Sequence, residues 1–237
     1  MSTQPTSPSR LRRPAQASAG TGELTLHVVR HGESLANAAD TAGERRPADW
    51  DALSERGWEQ ARGLGRRLED HGIEVVVAST MRRAQETARG IDEILGLPIE
   101  TDPDLHELKQ SDAFYGAVPE CGETASLNWM PTAPRDFAQP GAESFAAMLA
   151  RVQSVRERME ERAADQRILL VSHYGWLHFC LGLTLFGDDF GPEHLPGLWL
   201  AGHANTGISV FQRRARHMDG MDFSGWGLTT WNDQAHL

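Results

Sequence analysis

Leu24-Thr25-Leu26-His27-Val28-Val29 runs straight into Arg30-His31-Gly32-Glu33, and this stretch decides the fold. The mostly apolar run reads as a β-strand covered on both faces, as in a parallel sheet. It ends in a guanidinium beside an imidazole, so a cation and a nucleophile share one strand tip. In open α/β sheets the ligand crevice lies outside the carboxyl ends of the strands. Gly32 allows the backbone to turn sharply there and approach a ligand.

Outward from this strand, strands and helices alternate. Residues 54–71 read as a helix stopped by Gly72, and 73–78 as a second buried strand. A helix over 81–95 follows, closed by Gly96 and Pro98, then a short strand at 99–101. Residues 110–140 carry no period and are expected to form a lid or substrate loop, since long loops in compact domains are usually functional or disordered. Beyond it come a helix at 144–164, a third buried strand at 167–171 and an apolar helix at 174–186. Later strands are expected at 198–201, 208–213 and 228–231. The βαβα order predicts an α/β fold: one three-layer αβα domain over 23–237 with a mainly parallel central sheet. Residues 1–22 hold Pro5, Pro8 and Pro14 with little to bury, and read as a disordered tail. The tail has no apolar core for a secretory signal. Its lack of acids is compatible with a transit peptide, although three prolines suit an amphipathic helix poorly.

The bulk chemistry narrows the partners. A net charge of −10 argues against nucleic acid and against anionic membranes, and no apolar run is long enough to span a bilayer. Cys121 and Cys180 form neither a disulfide framework nor a metal spacing, so a reducing cytoplasm is the expected location, with no metal and no cofactor. Of the 23 basic residues only Lys109 is a lysine, so any anion pocket must be built from arginine, which suits bidentate phosphate contacts.

Three strand ends carry related groups. The first ends at Arg30-His31, the second at Ser79 with Arg82 in the next helical turn, and the third at Ser172-His173 before another helix. Helix N-termini at that edge add unpaired N–H groups and a positive dipole end. Together they make a pocket of phosphate size and charge. Each member alone has a plainer reading: Arg82 as a solvated helix arginine, as Arg83 and Arg89 are read, and His173 as a core histidine bonded to a carbonyl. His106, His178 and His203 read as packing or rim residues, and His27 is assigned no role.

The chain resembles the histidine phosphatase superfamily, in its phosphoglycerate mutase-like branch. The resemblance rests on Arg30-His31-Gly32-Glu33-Ser34 with Asn37, then Leu53-Ser54-Glu55-Arg56-Gly57. It continues through Ser79-x-x-Arg82-Arg83-Ala84-x-x-Thr87-Ala88, Leu105-x-Glu107, Gly141 to Phe145, Val171-Ser172-His173, Trp231-Asn232 and His236-Leu237. It implies a phosphohistidine intermediate on His31, whose other ring nitrogen would donate to a backbone carbonyl. Arg30 and Arg82 would clamp phosphate oxygens, His173 would add a third cation if protonated, and Asn37 an amide donor. Ser34 and Tyr174 are expected beside the substrate. Glu107 resembles the proton donor and would need a raised pKa, with Glu120 and Glu123 as alternatives.

Departures from the pattern bear on the reaction. His173 is followed by Tyr174-Gly175-Trp176 rather than the Gly-Asn usual in glycolytic mutases. Residues 110–139 hold one cation, Arg135, against Asp112, Glu120, Glu123 and Asp136, where a mutase generally has several. Phe114, Tyr115, Trp129, Tyr174 and Trp176 could line an aromatic mouth, with core packing an equal account of Trp176. The expected function is hydrolysis of a small-molecule phosphate monoester. The alternatives are a mutase-type phosphoryl transfer and a non-catalytic phospho-ligand binding module. A homo-oligomer is allowed by the sequence but not indicated by it.

Overall fold

The computed structural model describes residues 24–110, 133–162 and 167–237. Strands β1 (Leu24–Arg30), β2 (Val75–Ala78), β3 (Ile99–Thr101), β4 (Ile168–Ser172), β5 (Ile208–Met218) and β6 (Met221–Asp233) form one six-stranded sheet in the order β3-β2-β4-β1-β5-β6. β3, β2, β4 and β1 run parallel, while β5 and β6 are antiparallel additions. Of these parallel strands β2 and β4 read as apolar runs and β1 as a mostly apolar one, while the edge strand β3 does not. β2 and β4 are buried at every position, because helices cover both faces.

The pleat sorts the side chains into two cores. Leu26, Val28, Val75, Val77, Ile168 and Leu170 face α4 (Phe145–Arg162) and α5 (Tyr174–Phe186). Val29, Val76, Ala78, Leu169 and Val171 face the opposite way, towards Leu64 and Leu68 of α2 (Glu55–Leu68) and Ala84, Ala88 and Ile91 of α3 (Arg82–Leu95). This is the expected three-layer αβα sandwich with a mainly parallel sheet. Two short helices complete it, α1 (Leu35–Ala42) and α6 (Leu195–Trp199). Among the described residues no helix is long and apolar enough to cross a membrane.

Some expectations fail in detail. Residues 198–201 are the end of α6 and a turn, not a strand, because Pro196 starts a short helix that Gly202 at φ 59° leaves. α1 is not foreseen from the sequence; it is nucleated by a capping box between Ser34 and Asn37. β5 and β6 run well past the expected 208–213 and 228–231, around a tight turn at Asp219-Gly220. Most of the expected 110–140 lid, and the 1–22 tail, lie outside the described residues.

Candidate active site

β1 and β4 pair with Arg30 opposite Ser172, so His31 and His173 emerge one residue further on from adjacent parallel strands. The His31 amide continues the ladder by donating to the Ser172 carbonyl at 3.0 Å. Their imidazole centroids are 5.1 Å apart and both rings are buried. His31 Nδ1 lies 2.7 Å from the Gly32 carbonyl oxygen, which can only accept. The proton therefore sits on Nδ1 and Nε2 keeps its lone pair. That lone pair accepts a hydrogen bond from Arg83 Nε at 2.9 Å. Burial first, then the Arg83 and Arg30 cations, hold His31 well below the usual histidine range, so it is neutral at pH 7.

The arginine that reaches His31 is thus Arg83, and the expected Arg82 does not reach it. One residue along an α-helix is a rotation of about 100°. Arg82 is on the solvent side of α3, its side chain 55% exposed and paired with Glu86 at 2.7 Å. Arg83 is 7% exposed, on the stripe that continues through Thr87 and Ile91 into the core. Asp51 grips it: one carboxylate oxygen meets Arg83 Nη1 and the other accepts the Arg82 amide at 2.9 Å, at the start of α3. The Trp50 ring lies 5.9 Å from the guanidinium. Asp51 and Trp50 carried no sequence signal of their own.

Arg30, half-buried, is the second cation of the site. Its Nη1 donates to the His203 carbonyl at 2.7 Å, and its guanidinium lies 5.3 Å from the centre of the Tyr174 ring. Tyr174 is fixed in turn by donating to the Trp199 carbonyl at 2.9 Å. The expected substrate-side tyrosine is therefore a platform beneath Arg30. The stretch 203–207 was not singled out as site-forming, yet it holds the strand tip: the Thr206 amide donates to the Arg30 carbonyl at 3.0 Å and Asn205 Nδ2 to the His31 carbonyl at 2.9 Å. Thr206 is fully buried at φ 58°, a conformation uncommon for a side chain of its type. Its hydroxyl is 3.0 Å from His236 Nε2, and Asn232 Oδ1 accepts the Ala204 amide at 2.9 Å. These two contacts give a structural account of the Trp231-Asn232 and His236-Leu237 motifs.

His173 Nε2 is 2.8 Å from Ser79 Oγ. Burial, then Arg83 and His31, hold it well below the usual range, so it is neutral rather than a third cation. Two buried polar atoms of the cluster have no partner among the described residues, His173 Nδ1 and Arg30 Nε. Buried polar atoms left unpaired are costly, and phosphate oxygens would satisfy both.

The remaining expected residues divide. Ser34 caps α1, its hydroxyl accepting the Asn37 amide at 3.2 Å, so its role here is local structure. Asn37 Oδ1 is taken up by Ser34 N and Asn205 Nδ2, both at 3.2 Å, which leaves its amide nitrogen as the group it could offer. Glu107 Oε1 accepts the amides of Leu108 at 2.8 Å and Gly175 at 2.9 Å, one turn-start away from His173. Glu120 and Glu123 lie outside the described residues. The strand tip is packed tightly from behind: a Cβ on Gly32 would meet the Gly57 carbonyl oxygen at 2.7 Å, and one on Gly57 would meet the Glu33 carbonyl oxygen at 2.1 Å. The Arg30-His31-Gly32 and Ser54-x-x-Gly57 motifs are therefore two sides of one close backbone contact.

The sequence matches a family model, that of the histidine phosphatase superfamily (branch 1), over residues 26–233. The chain belongs to the histidine phosphatase superfamily. Within it, the chain is 30% identical over 222 residues to a protein of Yersinia pestis (strain Pestoides F) named probable phosphoglycerate mutase GpmB, covering 90% of this chain and 95% of the relative. A solved structure titled mycobacterial hydrolase 2 superposes with a TM-score of 0.62 at 26% identity, covering 89% of this chain and 91% of that one. A mycobacterial glucosyl-3-phosphoglycerate phosphatase superposes with a TM-score of 0.65 over 89% of this chain and all of its own, and at 24% identity it speaks for the fold alone.

Proposed function

We propose that this histidine phosphatase superfamily member is a hydrolase of small phosphate monoesters that works through a phosphohistidine on His31. The observation that carries the reading is the state of His31: neutral, with Nδ1–H held by the Gly32 carbonyl and the Nε2 lone pair turned to a buried arginine. A nucleophile fixed in one tautomer needs no proton removed before it attacks. When phosphate enters, Arg83 exchanges its bond to Nε2 for a phosphate oxygen, freeing the lone pair. Nε2 then bonds to phosphorus as the P–O bond to the leaving group breaks. Arg30 and Arg83 stabilise the charge on the equatorial oxygens. A dianion beside His173 raises its proton affinity, so this ring can become a donor on substrate binding. Glu107 gives its proton to the leaving oxygen, then takes one from the water that attacks phosphorus and breaks the N–P bond.

The 30% identical relative's name favours a second reading, transfer of the phosphoryl group between positions of one substrate. Such an enzyme must hold a second anionic group. Among the described residues, Arg82 is engaged by Glu86, Arg56 by Glu33 and Arg151 by Glu143. This supports hydrolysis. The separating experiment supplies 3-phosphoglycerate and a panel of other phosphate monoesters, with His31→Ala as control. Free phosphate is the expected product, whereas 2-phosphoglycerate as the main product would replace hydrolysis with isomerisation.

A further inference from the structure

The two edges of the sheet are built differently. At one edge β3 is three residues long, and its Glu100 is paired with Arg162 at 2.5 Å, which is how folded proteins blunt an edge against further pairing. At the other, β6 is thirteen residues long and hydrogen-bonds only β5 among the described residues. Its ten residues from Phe223 to Asn232 contain no charged residue and no proline. Charge and proline, two of the usual safeguards, are therefore absent from that stretch; a third, the β-bulge, is confined to the end beyond Leu228, where the register against β5 shifts and Asn232 stands at φ 56°.

The same hairpin outgrows the sheet. β1 pairs β5 only as far as Leu24 opposite Arg213, while β5 and β6 stay paired to Met218 and Met221. The last part, from Arg214 to Gly225, is a two-stranded ribbon. Its turn at Asp219 (φ 50°) and Gly220 (φ 78°) has the two left-handed central residues of a twist-matched hairpin turn. A two-stranded ribbon on its own is marginal in water. Here Met221, 58% exposed, sits at its tip.

We infer that β6 is a dimerisation edge, pairing antiparallel with β6 of a second copy across a two-fold axis at Gly227, so that two six-stranded sheets become one. The sequence of β6 favours its own copy as the occupant. In a two-fold antiparallel pair, charges near the middle would meet like charges, and β6 has none there. With Gly227 on the axis, Trp226 falls opposite Leu228. The two charged residues of β6, Asp222 and Asp233, lie five and six positions from the axis, away from the middle of the pair. Arg30, His31 and Arg83 lie outside this edge, and each copy keeps a whole site.

Sedimentation velocity on the full chain across a micromolar concentration series tests this. The expected result is a dimer that Gly227→Lys converts to monomer, with far-ultraviolet circular dichroism and kcat/KM per chain on p-nitrophenyl phosphate unchanged. A side chain at 227 has room, since the nearest atom to its Cβ is the Gln212 carbonyl oxygen at 3.9 Å. At Gly225 nothing lies within 4 Å, so Gly225→Lys is the second variant should the first fold poorly. Gly227→Cys should form a disulfide between copies on mild oxidation. A wild-type chain that stays monomeric throughout, a dimer that survives both lysine variants, or a dimer in which Gly227→Cys does not cross-link would each overturn the proposal. None of these depends on the chain being a phosphatase, and an inactive but dimeric protein would count against the function alone.

Discussion

Replacing Arg83 with alanine should disable the enzyme while the same change at Arg82 leaves it working, although the two are neighbours in one motif. Arg83 is 7% exposed and donates to His31 Nε2 at 2.9 Å, so its loss removes a cation from a site that excludes water. One such transition-state interaction is worth about 3–6 kcal/mol, or roughly 10²–10⁴-fold in kcat/KM. Arg83→Ala also leaves Asp51 without its ion-pair partner, so a modest loss of stability should accompany the loss of rate. Arg82 is on the solvent side, bound to Glu86, and Arg82→Ala should change kcat/KM by less than about twofold. The assay is steady-state phosphate release from p-nitrophenyl phosphate, with thermal melts to show that both variants are folded. Equal losses in two folded variants, or a greater loss for Arg82→Ala, would refute the placement of α3 against the nucleophile.

Three further outcomes follow from the geometry. Glu107→Gln keeps an oxygen to accept the Leu108 and Gly175 amides but cannot give a proton. It should therefore slow alkyl phosphates by about 10²–10⁴-fold and largely spare p-nitrophenyl phosphate, whose leaving group needs no acid; equal slowing of both would make Glu107 a positioning group. Gly57→Ala drives a Cβ onto the Glu33 carbonyl oxygen and should cost at least about 1–3 kcal/mol of stability, together with activity, in urea melts and rate assays; a neutral outcome would mean the contact behind His31 is slack. Burial holds His27 and His178 down to about 4 and His203 to about 3. Each is charged more readily unfolded than folded, so stability should be full above about pH 6.5 and fall below it, by up to about 1.4 kcal/mol per pH unit for each, until the folded values are reached. Urea melts that do not weaken between pH about 7 and about 5 would contradict this.

The parallel core was legible because β1, β2 and β4 are buried on both faces, which leaves near-continuous apolar runs that no amphipathic helix would show. The antiparallel strands were underestimated because a good part of each runs on beyond the end of β1. Arg214 to Gly225 forms a ribbon outside the sheet, with no core face to impose alternation. The two histidines could be placed from their strand ends alone. The arginine needed the phase of the helix: Arg82, Glu86, Arg89 and Glu93 form a polar stripe, whereas Arg83 shares a stripe with Thr87 and Ile91. That signal was in the sequence, but counting outward from the strand end hides it. Asp51 and Asn205 are different. Each reaches the site by folding back from a loop distant in sequence, and nothing in the local pattern marks such a residue. The Asn205-Thr206-Gly207 turn carried one hint, a polar group of turn-forming residues between two elements, and its buried left-handed threonine shows why those residues sit there.

The central claim is that the phosphoryl group passes through His31. The direct measurement is a rapid alkaline quench of enzyme mixed with labelled substrate, followed by peptide mapping. The account predicts phosphate that is stable to alkali, labile to acid and located on the peptide carrying His31, and its absence from His31→Ala. Turnover with no such phosphate in the wild type, or full phosphatase activity in a folded His31→Ala, would contradict it.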